Sequence, residues 1–283
     1  MNPYETPQQK HPLEDDSARP RPPVPAPQPG TRLVMRGISG TPYVTYALIA
    51  INVVIFIVRA LLPDVEFQTL LQGANSAQGV FRDGEYYRFF TSMFLHASIH
   101  DPTTGAVNLS ASMHLIFNMY ALYFAGGSVE RLNGHTRFIL IYLLGGLSGS
   151  LLSAAMGTRL SVGASGAVFG VFAAQLDFFL RHRAVFGAYG QAQIRSLTTL
   201  VLMNLALGLL VPRIDNWAHI GGAIGGYIAS RFGGARFEVR QSETLPAVIA
   251  QPVRSERESL TALVGIALLW VAAVLVAASF YRG

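Results

Sequence analysis

The chain has 283 residues, 51% of them hydrophobic and only 13% charged, where a soluble domain carries roughly 25% charged residues. It contains no cysteine, which excludes a disulfide framework, a thiolate nucleophile and a thiolate metal site. The net charge of +5 does not signal nucleic acid, because the basic residues lie between apolar runs rather than along one face. Long, nearly uncharged apolar runs predict instead an all-α fold, a polytopic membrane helical bundle.

Residues 1–42 hold ten of the fifteen prolines and show no apolar periodicity. Such a segment cannot bury enough surface to offset its ordering entropy, so a disordered tail is expected there. Seven apolar stretches follow: Tyr43–Leu62, Ser110–Gly126, Phe138–Met156, Ser165–Leu180, Leu197–Val211, Trp217–Phe232 and Leu260–Phe280. The first, third and seventh approach the roughly 20 residues that cross a bilayer. The second, fourth, fifth and sixth are shorter and carry His, Asn, Ser and many Gly, as suits an inner set packed around a wet cavity. Between the first two runs, residues 63–109 form a long aromatic and basic segment, expected either to be functional or to hold short helices in the interface.

Lys and Arg set the orientation. With a cytoplasmic amino terminus, fifteen basic residues fall on the cytoplasmic side and six on the other, as the positive-inside bias requires. The reading is therefore an integral protein of the plasma (inner) membrane. Its units are a Pro-rich cytoplasmic tail at 1–42, a six-helix core at 43–235, a cytoplasmic linker at 236–259 and a seventh transmembrane helix at 260–281, with the carboxyl terminus outside.

Three polar positions carry chemistry, two of them single residues and the third a pair. Ser165 stands in Gly163-Ala164-Ser165-Gly166 at the start of the fourth run. His219 stands in Ala218-His219-Ile220-Gly221-Gly222 near the start of the sixth, and His114 and Asn118 share one face of the second. Those three runs point the same way, so their amino ends share one depth near the outer surface. Gly166 with Gly170, and Gly222 with Gly226, leave side-chain-free grooves that let two helix backbones approach. A serine hydroxyl needs a base to take its proton as it attacks, and an imidazole fills that role. Asn118, His114 and the free backbone N–H of Ser165 are candidate donors to a tetrahedral oxyanion. No Asp or Glu takes an obvious third place; Asp215 reads as a helix cap, so a Ser165–His219 dyad is expected.

On these residues the chain resembles the rhomboid intramembrane serine proteases across roughly 40–235. The matching pieces are Tyr87-Arg88, His96-Ala97 with His100, His114-x-x-x-Asn118, Glu130-Arg131 with Gly134, Gly163-Ala164-Ser165-Gly166, and Ala218-His219 with Gly222 and Gly226. The resemblance implies a six-helix rhomboid-like core plus a seventh helix. It makes Ser165 the nucleophile and His219 the base, with His114, Asn118 and the Ser165 backbone as the oxyanion site. Phe169 stands where the family often has Tyr, one turn after the nucleophile, and can stack on the histidine but not hydrogen-bond.

The expected activity is cleavage of transmembrane protein substrates near the outer membrane surface through an acyl-enzyme, with no metal or organic cofactor and no nucleic-acid partner. An inactive rhomboid-like binder of membrane segments is the alternative, and a small-solute carrier a weaker one. No H-E-x-x-H helix is present for a metalloprotease. Arg88 and Glu130 read as loop-fixing groups.

Overall fold

The computed structural model describes residues 32–35, 40–100, 106, 107, 109–157, 160–211, 214–241 and 247–282. Most of the tail expected at 1–42, and part of His100–Ser112, a stretch that reads as a polar insertion before the second run, lie outside the described residues. The protein is an integral membrane protein built almost entirely of helices.

Helix α1 (Tyr43–Leu61) buries Thr45, Leu48, Asn52, Phe56 and Arg59. These recur every three or four residues, so one stripe faces the bundle while Ile51, Val54 and Ile57 face outward. Helix α2 (Pro63–Gly73) begins with Pro at its first position, where no N–H is missed. After it come a π turn at Gln78–Arg82, the short α3 (Arg88–Thr91) and a 3-10 turn at Ser92–Phe94. The interfacial segment expected between the first two runs is thus largely helical. Helix α4 (Ser110–Ala121) continues through a π turn (Leu122–Gly126) into α5 (Gly127–Asn133), and Gly134, at φ 83°, turns the chain into α6 (His135–Ala155).

The remaining helices are α7 (Ser165–Arg181), α8 (Arg183–Leu210), α9 (Asn216–Gly233) and α10 (Glu256–Arg282). Helix α8 starts well before the expected Leu197 and breaks at Gly187, whose φ of 49° and ψ of −129° are not helical. Four helices are long and apolar enough to cross a membrane, namely α1, α6, α8 and α10. Helices α7 and α9, at 17 and 18 residues, are shorter and packed within the bundle.

The centre is α6 against α7 and α9, and glycine makes it possible. A Cβ on Gly145 would lie 3.1 Å from the Gly170 Cα and 3.7 Å from that of Gly226. One on Gly149 would lie 2.6 Å from the Ala218 carbonyl oxygen. Three backbones therefore meet with nothing between them, the close approach expected of small residues four apart. Around this centre α1, α8 and α10 present most of their apolar surface outward.

A sheet of order β1-β3-β2 lies at the end of the bundle away from Ser165. Strand β1 (Arg32–Met35) pairs parallel with β3 (Ala247–Pro252), and β2 (Phe237–Gln241) pairs antiparallel with β3. Sequence reading expected no strands. These runs are short, and the partners Arg32 and Ala247 are more than 200 positions apart, so no local period marks them. Phe237 seals the sheet to the helices: its N–H donates to His182 Nε2 at 3.2 Å, and the His182 ring lies over Phe178 at 4.5 Å.

Candidate active site

Ser165 is the first residue of α7, preceded by a loop held from both sides. Ser161 and Asn75 exchange two backbone hydrogen bonds of 2.9 Å, and the Asn75 amide donates to the Ser150 carbonyl at 2.8 Å. The Gly163 N–H donates to the Ser92 carbonyl at 2.9 Å. Gly163 has φ 134°, a conformation open to glycine and strained for other residues. Its place also excludes a side chain: a Cβ there would lie 2.9 Å from His114 Cε1, 3.0 Å from its Nε2 and 3.7 Å from Ser165 Oγ. The alcohol and the His114 ring therefore border one small space.

His219 lies one turn into α9. The Asp215 carboxylate caps that helix, as expected, accepting from the Ala218 N–H at 3.0 Å and from Ser153 Oγ at 2.5 Å. The capped turn brings the Ala218 carbonyl against Gly166, whose absent Cβ would stand 3.3 Å from it. The His219 ring stacks on Phe169 with centroids 4.0 Å apart and planes 6° apart. Phe169 is one turn after Ser165, so the two share a face of α7. Thus Ser165 and His219 stand at one end of two helices whose backbones touch. They are not hydrogen-bonded to each other, and His219 Nδ1 is buried without a protein partner. Catalytic hydrogen bonds are often open in a ligand-free site and close on substrate.

The other expected residues are distributed around this pair. Asn118 is buried, and its Nδ2 donates to the His114 carbonyl at 2.7 Å. A side-chain amide has two N–H groups, so that bond leaves one donor. The Ser165 N–H lies in the first turn of α7, where helix geometry provides no acceptor. His96, between the 3-10 turn and α4, packs edge-on to His114 with ring centroids 5.2 Å apart, and both its nitrogens are buried without partners. Burial, then the neighbouring His114 and Arg59, push the His96 imidazole down to about 3, so it is neutral at any physiological pH. His100 sits apart, with its Nδ1 2.6 Å from the Glu66 carboxylate, which also accepts from the Ile99 N–H.

Arg88 and Glu130 hold loops. Arg88 bonds Glu85 and the carbonyls of Leu71 and Ala74, tying α3 to the end of α2. The Glu130 carboxylate accepts from Val44 N–H at 2.9 Å, Thr45 N–H at 2.7 Å and Thr45 Oγ1 at 2.6 Å, with His135 Nδ1 at 2.5 Å. It is a cap for α1 supplied by another helix. Burial alone would raise this carboxyl, but those hydrogen bonds outweigh it and hold Glu130 below the usual range.

Sequence reasoning missed the polar neighbours of Ser165. Ser92, Ser150 and Ser161 line, with Ser165, a cavity of about 10 Å³ under the loop, room for about one water. They come from three elements joined only by long-range pairing, and lone serines carry no local signal.

A membrane-embedded helical bundle with a serine at a helix start, and an imidazole on the helix in backbone contact with it, defines a class of candidate hydrolases. Comparison with known proteins narrows the class. The family model of the Rhomboid domain matches residues 83–236, a stretch that contains His114, Asn118, Ser165 and His219. The chain is 34% identical over 197 residues to rhomboid protease GluP of Bacillus subtilis (strain 168), covering 68% of this chain and 35% of that protein. It is 38% identical over 156 residues to RHOMBOID-like protein 2 of Arabidopsis thaliana, covering 55% of this chain and 44% of that protein. The putative rhomboid protease YdcA of Bacillus subtilis (strain 168) is 28% identical over 155 residues, with 52% of this chain and 67% of that protein covered. The chain belongs to the rhomboid family, and it spans less than half the length of the first two of these relatives.

Proposed function

We propose that this protein is an intramembrane serine endopeptidase that uses Ser165 and His219 as a dyad and cuts transmembrane substrates near the outer surface. One observation carries the reading. The alcohol at the start of α7 and the imidazole on α9 are held at one level, by the Gly166–Ala218 backbone contact and by the stack of His219 on Phe169. Membership of the rhomboid family supports the same assignment.

In this mechanism Ser165 Oγ attacks the scissile carbonyl carbon while His219 takes the hydroxyl proton. The carbonyl π pair moves to oxygen, and the resulting oxyanion accepts from the Ser165 N–H, the second Asn118 amide N–H and the His114 ring. Collapse of this intermediate breaks the C–N bond, and His219 returns the proton to the departing amine. Water then attacks the ester at Ser165 by the same route, releasing the acid and restoring the hydroxyl. Phe169 holds the ring flat against α7, and the unpartnered His219 Nδ1 carries the second proton of the imidazolium. A helix buries its carbonyls behind side chains and internal bonds, so the substrate must be extended at the cut. Small or helix-breaking residues there are expected to favour cleavage. The six-helix core at 43–235, the seventh span at 260–281, the cytoplasmic amino terminus and the plasma membrane location belong to the same proposal and rest on charge and hydropathy.

The test is cleavage of a model single-span substrate in proteoliposomes. Ser165→Ala and His219→Ala are each expected to lower the rate by at least ~10³-fold while the proteins melt at the wild-type temperature. Wild-type rates in either variant overturn the mechanism.

A further inference from the structure

At the end of the bundle opposite Ser165, five arginines from five points of the chain converge. Helix α7 has 17 residues, so this face lies about 25 Å from Ser165 at 1.5 Å per residue. Arg137 opens α6, Arg181 closes α7, Arg231 ends α9, Arg236 leads into β2 and Arg254 precedes α10. They are neighbours in space. Arg137 Nη2 donates to the Arg254 carbonyl at 3.2 Å, Arg254 Nη1 to those of Phe232 and Gly234, and Arg181 Nη1 to that of Ala235.

The ordinary role of such residues is to cap the carbonyl end of a helix, and the hydrogen bonds fit that role. The charge does not. A helix end offers only about half a negative charge, whereas five guanidiniums gather here. Among the described residues the one ion pair within the group is Arg181 with the buried Asp177, at 2.7 Å. Glu258 lies near Arg254, but its carboxylate is taken by the Ser255 N–H and hydroxyl. Counting Glu238 on β2 as well still leaves, among the described residues of the group, two more guanidiniums than carboxylates. Burial first, and then the like charges of Arg236, Arg181 and Arg137, push Arg254 below its ordinary range. The Nε atoms of Arg137 and Arg181 are buried with no hydrogen-bond partner.

What lies beside the cluster identifies its occupant. Phe232, 58% exposed, and Ile228, one turn before it, form an apolar strip on the last turns of α9, which also carry Arg231. Val264 and Leu268 form another on α10, which packs on α9 where Leu263 fills the space beside Gly233. Excess positive charge above two outward apolar strips matches an amphiphile with an anionic head. We infer that this face binds an anionic phospholipid, with its phosphate among Arg231, Arg236 and Arg254 and an acyl chain along α9 and α10. The assignment stands independently of catalysis at Ser165.

Native mass spectrometry of the full chain in detergent, titrated with phosphatidylglycerol, phosphatidylcholine or inorganic phosphate, tests it. Phosphatidylglycerol is expected to bind at least tenfold more tightly than phosphatidylcholine, and millimolar inorganic phosphate to leave that binding unchanged. Arg231→Gln with Arg236→Gln is expected to weaken phosphatidylglycerol at least tenfold and to leave phosphatidylcholine unaffected. If the double variant fails to fold, Arg236→Gln alone, at an exposed position, is expected to weaken it at least threefold. Equal affinity for the two lipids, or unchanged affinity in the variants, overturns the site. Displacement by inorganic phosphate makes it a free-anion site and overturns the lipid.

Discussion

Helices α7 and α8 follow one another in the chain and live in different solvents. Of the 17 residues of α7, thirteen are buried, including Gln175 and Asp177; of the 28 in α8, only Gly190 and Leu197 are. Helix α7 can hold the proposed nucleophile and an ion pair because protein surrounds it and supplies partners, as Ser230 does for Asp177 at 2.8 Å. Helix α8, long and apolar enough to cross a membrane, leaves Leu202, Met203, Leu209 and Leu210 exposed on its surface, as suits a lipid neighbour. In the first, backbone fit is everything; in the second, almost any apolar side chain serves.

The largest expected effect breaks that fit. A Cβ at Gly226 would fall on the Gly170 backbone, which cannot move aside as a side chain would. Gly226→Leu is therefore expected to cost at least about 3 kcal/mol, the upper end of overpacking penalties. Leu202→Ala on α8 is expected to cost under about 1 kcal/mol, since lipid replaces the lost contacts. Unfolding in detergent with a chemical denaturant measures both. Similar losses in the two variants would erase the distinction.

The next effect is on rate. Asn118→Ala is expected to lower turnover by about 10²-fold with little change in KM, because in the proposed mechanism the amide acts on the oxyanion. A drop of less than threefold would leave Asn118 as a tie within α4.

Glu130 sharpens the comparison from outside the core, where one carboxylate caps α1. Glu130→Gln is expected to cost about 1 kcal/mol, the usual value of a lost cap. The folded carboxyl is held low, so its contribution is complete above the unfolded value near about 4.3 and is lost as pH falls through the lower folded value. Melting temperatures between pH 7 and pH 3 should fall in the wild type and fall less in the variant. Parallel curves would remove Glu130 from the account.

The smallest effect belongs to α10. Tyr281 donates to the carbonyl of Ala155 at 2.9 Å and stacks on Phe81 at 4.7 Å, bracing the end of α6 just before the loop to Ser165. Tyr281→Phe keeps the stack and loses a hydrogen bond of about 1 kcal/mol. A melting shift of a few degrees and less than a threefold change in rate are expected. A tenfold loss of rate at unchanged stability would instead tie α10 to the site.

These regions also differ in how plainly the sequence showed them. The apolar runs, the glycine pairs after Ser165 and His219, and the Asp215 cap were legible, because each depends on residue type at a short fixed spacing. The break at Gly187, the early start of α8 and the β1-β3-β2 sheet were not. A single glycine does not declare its dihedrals, and the sheet joins Arg32–Met35 to Ala247–Ala250 across nearly the whole chain. The clamp of Asn75 on Ser161, which sets the loop before Ser165, was hidden for the same reason. The polar insertion between His100 and His114 gave no pattern from which to place His96 against His114.

The central claim is that Ser165 is a nucleophile activated by His219. Labelling of the reconstituted protein with a fluorophosphonate probe, with the adduct located by mass spectrometry of its peptides, addresses it most directly. The account predicts one adduct, on Ser165, that disappears in both Ser165→Ala and His219→Ala. A modified residue elsewhere, or undiminished labelling without His219, would contradict it.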